Sequence, residues 1–324
     1  MAVAPQASPG AAVPAQATRG KGGRGEDRDR ISIVALFLAP AMILLGIFLV
    51  FPALYTIALS FFRGRANSQF AEFVGLTNYV NLLTNDPKFI NFGTFPPSGA
   101  IWNNILWLVF YTSITLFLGL IIAVMATRVR YEKLIKAIVF IPQAIAATAL
   151  GVIWTFVYSP NPDQGLLNAL LGIFGIGPIS WLGDTTFVNA ALIFVGIWAG
   201  IGFATVILSA AIKSISTEIL EAARSDGANE IQIFFRIILP MVSLPMSVLA
   251  VTLIVGVVKL FDLIYVMTSG GPGAASRVIA FTMYQEAFPG NQFGKGAAVA
   301  VIMLVVLIPI MIFNIRRFRT ESVT

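Results

Sequence analysis

The residue types that most often carry chemistry are nearly missing from this chain. It has no Cys and no His, which removes disulfides, thiolate nucleophiles, thiolate and imidazole metal ligands, and the commonest general acid and base. No G-x-x-x-x-G-K-[ST] phosphate loop is present, so the chain is not expected to hydrolyse a nucleotide. What remains is a small set of ionisable groups beside long apolar runs: Lys259, Asp262 and Glu286. A membrane-embedded enzyme would have to use these three, which form no recognised motif, although carboxylates near hydrocarbon always draw functional attention. On a continuous helix Lys259 and Asp262 would form an (i, i+3) pair, and mutual neutralisation is expected ahead of ligand contact. A second polar cluster is the stretch EAARSDGANEIQIFFRIILP, Glu221 to Pro240, an amphipathic, charge-bearing island between two apolar runs.

The elements that must hold these residues are membrane helices. The 324 residues are 57% hydrophobic and 11% charged, with a mean hydropathy of +0.87, far too apolar for an ordinary soluble domain. A spanning helix needs roughly 20 mostly apolar residues. Uncharged runs of about that length occur at Ile31–Phe62, Ile101–Thr127, Ala137–Pro162, Thr185–Ile212, Ile237–Val258 and Ala297–Ile315, which predicts an all-α, six-span protein over residues 31–319. The first run contains Pro40 and Pro52 and is expected to tilt or kink. It is too long for a removed signal peptide, and no small-residue cleavage site follows it. Residues 1–30, rich in Ala, Pro and Gly and then in mixed charge, read as a disordered tail, and residues 320–324 as a short C-terminal tail. The segment GLLNALLGIF reads as a short amphipathic surface helix.

Orientation follows from Lys and Arg. They crowd the N-terminal tail (Arg19, Lys21, Arg24, Arg28, Arg30), the second-to-third connection (Arg128, Arg130, Lys133, Lys136), the island (Lys213, Arg224, Arg236) and the C-terminus (Arg316, Arg317, Arg319). The alternate loops hold only Arg63, Arg65, Lys88, Arg277 and Lys295. Both termini and the island are therefore expected in the cytoplasm. The basic balance, net +6, needs no nucleic acid to explain it.

Within the island, Ser216 or Thr217 can cap a helix, Gly227 permits a turn or a close backbone approach, and EIQIFFRII resumes a helix up to an elbow at Pro240. The spacing E-A-A, three residues, Gly, nine residues, Ile, one residue, Leu-Pro is filled by Glu221, Ala222, Ala223, Gly227, Ile237, Leu239 and Pro240, with Asp226 before the Gly. This resembles the cytoplasmic coupling loop, residues 213–240 here, of permease subunits of binding-protein-dependent ABC importers. FVGLTNYVNLL, IPQAIAATALGVIWTFVYSP, KLFDLIYVMTSGGPG and the last span are similar to the sugar-permease branch, the maltose-permease-like subunits, and most to alpha-glucoside permeases. The resemblance covers nearly everything after residue 30.

The resemblance implies a type I importer permease in the bacterial or archaeal inner membrane. Its implied partners are a second permease subunit in a heterodimer, two copies of an ABC ATPase that bind the ATP and Mg, an extracytoplasmic sugar-binding protein, the sugar and the bilayer. This chain would hold no cofactor, and the motif residues would engage the ATPase while the spans alternate access. A glycerol-phosphate permease is the alternative within the family. An ion-coupled secondary transporter is a further one, disfavoured because the six runs lack acidic residues.

For the sugar path, the family pattern falls on Gly200 and Phe203 in the fourth span. In the fifth span its polar positions fall on Leu253, Val257 and Leu260, all apolar here. Local substitutes are Thr252, Lys259 and Asp262, and Trp198 offers a ring face for stacking, although a Trp in a span more often packs or anchors at the interface. Asn103 and Asn104 read as capping or loop hydrogen bonds, and SGGPG, Ser269 to Gly273, as a turn or a site of close approach.

Overall fold

The computed structural model describes residues 24–93 and 96–321, and side chains of Val34 and of Leu36 to Arg317 within that range. Residues 1–23 and 322–324 of the two expected tails lie outside the described residues. The first described helix begins at Arg24, earlier than the run of apolar residues suggested.

Two compact units divide at Leu54. In the first, α1 (Arg24–Leu45) runs through Pro40 and continues into a π-helical turn, Gly46–Val50; α2 (Phe51–Leu59) follows and contains the boundary. The turn has a physical cause. Pro52 has no N–H and its ring crowds the carbonyl four residues back, at Phe48, and widening the helix there relieves both demands. The same device recurs before Pro240, where Phe234–Ile238 is π-helical.

In the second unit, α3 (Thr77–Val80) lies in the first loop. A long helix follows, built from α4 (Ala100–Leu106), a π segment and α5 (Thr112–Thr127). Next come α6 (Glu132–Phe140), α7 (Ala147–Val157), α8 (Leu166–Ile173) and the 26-residue α9 (Val188–Lys213). The island supplies α10 (Thr217–Ser225), α11 (Glu230–Ile233) and α12 (Leu239–Met241), and the chain ends with α13 (Ser243–Val258), α14 (Asp262–Met267), α15 (Ile279–Ala287) and α16 (Phe293–Glu321).

Among the described residues, four helices are long and apolar enough to cross a membrane: Leu36–Leu59, Ala100–Thr127, Val188–Lys213 and Phe293–Arg317. The third and fifth expected spans are bent pairs instead, by 95° between Glu132–Ala144 and Ala147–Val157 and by 67° between Glu230–Met241 and Ser243–Val258, and counting each pair once gives six. The third run is thus not one helix from Ala137 to Pro162. Pro142 starts a 3-10 turn, Ile141–Ala144, and Ile145 and Ala146 then take extended ψ values of 131° and 139°. Absence of charge marks a segment as apolar but does not report a bend inside it.

Buried side chains form stacked clusters along the spans. One, at the motif end, joins Leu120, Ala204, Leu208, Ile212, Ile233, Ile238, Val242 and Leu249. A second joins Trp107, Leu192, Val195, Ile264, Val278 and Phe281 toward the opposite end. Small residues let the helices approach: a Cβ on Gly202 of α9 would sit 2.3 Å from the Val139 carbonyl oxygen of α6, so only Gly fits that crossing. Helix α8 is amphipathic in an inverted sense. Its Asn168 is buried and holds Ser159 and Ile179 backbone groups at 2.8–2.9 Å, while Leu166, Leu170 and Ile173 are exposed.

Candidate functional site

The island is a helix-turn-helix whose boundaries are chemically specified. Ser216 caps α10, its Oγ accepting from the Glu218 N–H at 3.3 Å. Asn229 and Gln232 form a reciprocal capping box at the start of α11, with bonds of 2.8 and 2.9 Å, satisfying two otherwise unpaired donors. Between them Gly227 adopts φ +82°, and a Cβ there would meet nothing within 4 Å. Its role is therefore the left-handed turn, and the close approach considered from sequence is not made by any segment among the described residues.

The motif residues divide between two faces. Ala223, Ile237 and Leu239 are half-buried and pack on the motif-end core beside buried Ile233 and Ile238. Glu221, Ala222, Asp226, Gly227 and Pro240 are exposed. Apolar Ile219, Ile231 and Phe235 are also exposed, at 43%, 70% and 59%. One face thus anchors the loop to the spans while the other offers small, apolar and acidic groups outward. Pro240 also lines an apolar groove of about 780 Å³ with Ser243, Met246, Ala250, Ile310 and Phe313.

Ion pairs tie this loop to its neighbours. Glu230 accepts from Arg128 of the α5–α6 connection at 2.6 Å and from Arg224 of α10 at 3.0 Å. Glu132 of α6 is bracketed by Lys136 and, at 2.8 Å, by Lys213 at the end of α9. The two Glu230 pairs, exposed on both sides, contribute about 0–1 kcal/mol each. They set the position of the loop far more than they stabilise the fold.

The candidate sugar-path residues fare differently. Trp198 is 37% exposed and packs edge-on against Trp154 at 5.4 Å. Thr252 is exposed, with its hydroxyl donating to the Val248 carbonyl at 3.0 Å. Gly200 is buried, facing Tyr111 so closely that a Cβ would lie 2.8 Å from the hydroxyl, and Phe203 is half-buried against the motif-end core. The expected Lys259–Asp262 pair is corrected. The helix is not continuous, because α13 stops at Val258 and α14 starts at Asp262, with Phe261 between them at φ −137°. Both side chains are exposed and no ion pair joins them among the described residues. Glu286 is a structural partner, 3.2 Å from Lys295, which also binds Asp86 at 2.8 Å. Burial disfavours the Asp86 carboxylate, but Lys295 and the Lys88 and Phe89 N–H groups outweigh it and hold its pKa below the ordinary value.

Sequence reasoning underrated Asn103 and Asn104. Both are buried, and they cap distant segments rather than their own helix. Asn103 Nδ2 donates to the Ala275 and Arg277 carbonyls, each at 2.7 Å. Asn104 donates to Val257 O at 3.0 Å and accepts from Ile279 N at 2.8 Å, satisfying the end of α13 and the start of α15 together. Two adjacent Asn at the edge of an apolar run were the available signal.

The model of the family described as "Binding-protein-dependent transport system inner membrane component" matches residues 115–316, spanning the motif loop and the bent pair that follows it. The chain belongs to that family. It is 43% identical over 291 residues to the osmoprotective compounds uptake permease protein GgtC of Synechocystis sp., covering 89% of this chain and 99% of that one. It is 39% identical over 292 residues to the alpha-glucoside transport system permease protein AglF of Rhizobium meliloti, covering 89% and 82%. Its fold is similar to a chain of a solved bacterial ABC transporter involved in the import of the acidic polysaccharide alginate, with a TM-score of 0.73 over 91% of this chain and 98% of that one at 22% identity. This permease is accordingly a multi-pass inner-membrane subunit and not an enzyme; ATP hydrolysis belongs to a separate subunit.

Proposed function

We propose that this permease forms half of the pathway for a di- or oligosaccharide of the alpha-glucoside type, and that its motif loop couples the pathway to a cytoplasmic ATPase. The observation that carries the coupling reading is the division of the motif. Ala223, Ile237 and Leu239 root it in the span core, whereas Glu221, Ala222, Asp226 and Gly227 are presented outward. A rigid, capped helix-turn-helix joined to α5, α6 and α9 transmits displacement of its outer face into the spans, which alternating access requires. The sugar reading is supported by the name of one relative, the alpha-glucoside permease; the relative at 43% identity is named for osmoprotective compounds, a class wider than sugars.

In this reading the permease pairs with a second, different permease subunit. Two ATPase copies bind ATP and Mg, an extracytoplasmic binding protein delivers the sugar, and both termini and the motif loop are cytoplasmic. Trp198, Thr252, Lys259 and Asp262 are the better-placed pathway candidates because they are exposed on the single chain, while Gly200 and Phe203 shape the packing behind them. The test is to purify the permease with its co-isolating subunits and measure ATPase activity with the binding protein and individual sugars. Stimulation of at least severalfold by an alpha-glucoside is expected. Stimulation by glycerol phosphate alone would redirect the substrate assignment, and absence of a co-isolating ATPase would remove the coupling assignment.

A further inference from the structure

The proposed topology leaves Arg63, Arg65, Lys88, Arg277 and Lys295 on the outer side, where Lys and Arg are ordinarily sparse. All of them line two adjoining cavities. The first, of about 520 Å³, is walled by Arg63, Arg65 and Lys295 and by no Asp or Glu. The second, of about 480 Å³, has Lys88 and Arg277, and shares Asn81, Gln292 and Lys295 with the first. The first cavity is braced from several segments. Asn78 of α3 donates to the Ser60 and Phe62 carbonyls at 2.8 and 3.0 Å. Gly294 of α16 has no room for a Cβ against the Phe62 carbonyl oxygen, so those two backbones touch. Asn291 Oδ1 accepts from the Ala66 N–H at 2.8 Å.

Spare donors outnumber spare acceptors in this cavity. Asn291 and Asn81 spend their side-chain oxygens on Ala66 and Asn85, which leaves both amide NH2 groups unused among the described residues. Arg65 enters no ion pair among them. Arg63 gives one nitrogen to Glu72, which stands outside the cavity, and keeps the rest of its fork. Lys295 is already shared by Asp86 and Glu286. Surplus N–H groups with no carboxylate among them are complementary to an oxyanion, and guanidinium forks suit phosphate in particular. An apolar stripe runs along the same helix. Thr77, Asn78 and Asn81 line the cavity, while Leu76, Val80 and Leu83 are exposed at 64%, 52% and 48%. Their i, i+4, i+7 spacing gathers them on one face, and exposed Phe73 precedes them. A free phosphate ion would fill the cavity and leave this stripe bare. A phospholipid covers both, with its phosphate in the cavity and its chains on the stripe.

We propose that this is a binding site for an anionic phospholipid of the outer leaflet, its phosphate held by Arg63, Arg65, Asn81 and Asn291 and its acyl chains by Leu76, Val80 and Leu83. A zwitterionic lipid is a poorer match, because no carboxylate lines the cavity to receive its ammonium group. The choice of leaflet rests on the proposed topology, whereas the site itself does not. A reversed topology would move the lipid to the inner leaflet and leave its contacts unchanged.

The assembled transporter is delipidated in detergent and titrated with phosphatidylglycerol or phosphatidylcholine, with inorganic phosphate as competitor, and bound lipid is counted by native mass spectrometry. Phosphatidylglycerol should be retained in preference to phosphatidylcholine and should resist an equal concentration of inorganic phosphate. Replacing both cations, Arg63→Gln with Arg65→Gln, should weaken the tightest binding by about tenfold, and Arg65→Lys should weaken it less. Leu76→Ser with Val80→Ser should weaken it too, although the cavity is intact. Arg130→Gln, exposed on the α5–α6 connection, should leave it unchanged. A photo-activatable residue at Leu76, in nanodiscs of both lipids and in the presence of the binding protein, should give an adduct with phosphatidylglycerol in an otherwise wild-type complex. Equal retention of the two lipids, release by inorganic phosphate, or wild-type affinity after loss of both arginines would each overturn the site. An adduct from Leu76 with the binding protein and none with lipid would overturn it as well, since this surface would then belong to a protein partner.

Discussion

Gly227 holds a left-handed backbone at φ +82° with open space where a side chain would stand. Two costs are therefore separable there. Asn tolerates that backbone conformation while a β-branched residue strains it, so Gly227→Asn should fold and assemble, and Gly227→Val should destabilise the turn by about 1–2 kcal/mol. If the outer face of the turn meets an ATPase closely, Gly227→Asn should still lower ATP-driven uptake, despite normal abundance. Uptake per complex against membrane abundance for both variants decides the matter, and wild-type uptake in both would contradict the role given to this glycine. Asn104 makes the opposite kind of case, since its contacts lie wholly within the chain. Asn104→Leu keeps the volume but leaves the Ile279 N–H unpaired and removes one of the donors to the Val257 carbonyl, which still accepts from the Leu260 N–H at 3.2 Å, a loss of about 1–3 kcal/mol for one buried group. Lower thermal stability of the detergent-purified complex is the expected readout, with the effect absent in Asn81→Leu, an exposed position.

At the scale of elements, the motif loop is joined to the rest by both packing and charge, and the magnitudes assign different tasks to each. Burial of Ile233 and Ile238 fixes the loop to the spans, each side chain supplying about 1.5–3 kcal/mol. The Arg128–Glu230 pair, with side chains 41% and 47% exposed, adds at most about 1 kcal/mol and acts as a strut between the loop and the α5–α6 connection. Arg128→Glu and Glu230→Arg should each reduce the uptake obtained per ATP hydrolysed with a small effect on stability, and the double exchange should recover most of the loss. Failure of the double exchange to recover coupling would show that the strut carries nothing. These elements were unequally legible in the sequence. The motif spacing and a cap at Ser216 or Thr217 could be read directly, because they depend on residue types at fixed offsets, and the structure chooses Ser216. The 95° bend after Pro142 could not, because an uncharged run reads the same straight or folded back. The separation of Lys259 from Asp262 was missed for a related reason: the spacing of three is a contact only if the backbone between them is helical, and Phe261 is not.

On the scale of the whole molecule, the proposed topology has six apolar segments with alternate loops on opposite sides and the Lys- and Arg-rich loops inside. A Cys at Gly177, in the loop after α8, should react with an impermeant reagent from outside intact cells, whereas a Cys at Asn229 should react only once the cytoplasmic side is opened. Reversed labelling would overturn the orientation and the site of ATPase contact together. The central claim is that the outward-presented face of the motif loop is where a separate ATPase drives this permease. A photo-activatable cross-linking residue at Ala222, exposed on that face, tests it most directly in membranes containing the complete transporter. The account predicts a covalent adduct between the permease and its ATPase, reduced by Gly227→Val and absent when the probe stands at Thr252 in α13. An intact, ATP-hydrolysing complex that yields no such adduct from Ala222, or yields it equally from Thr252, would contradict it.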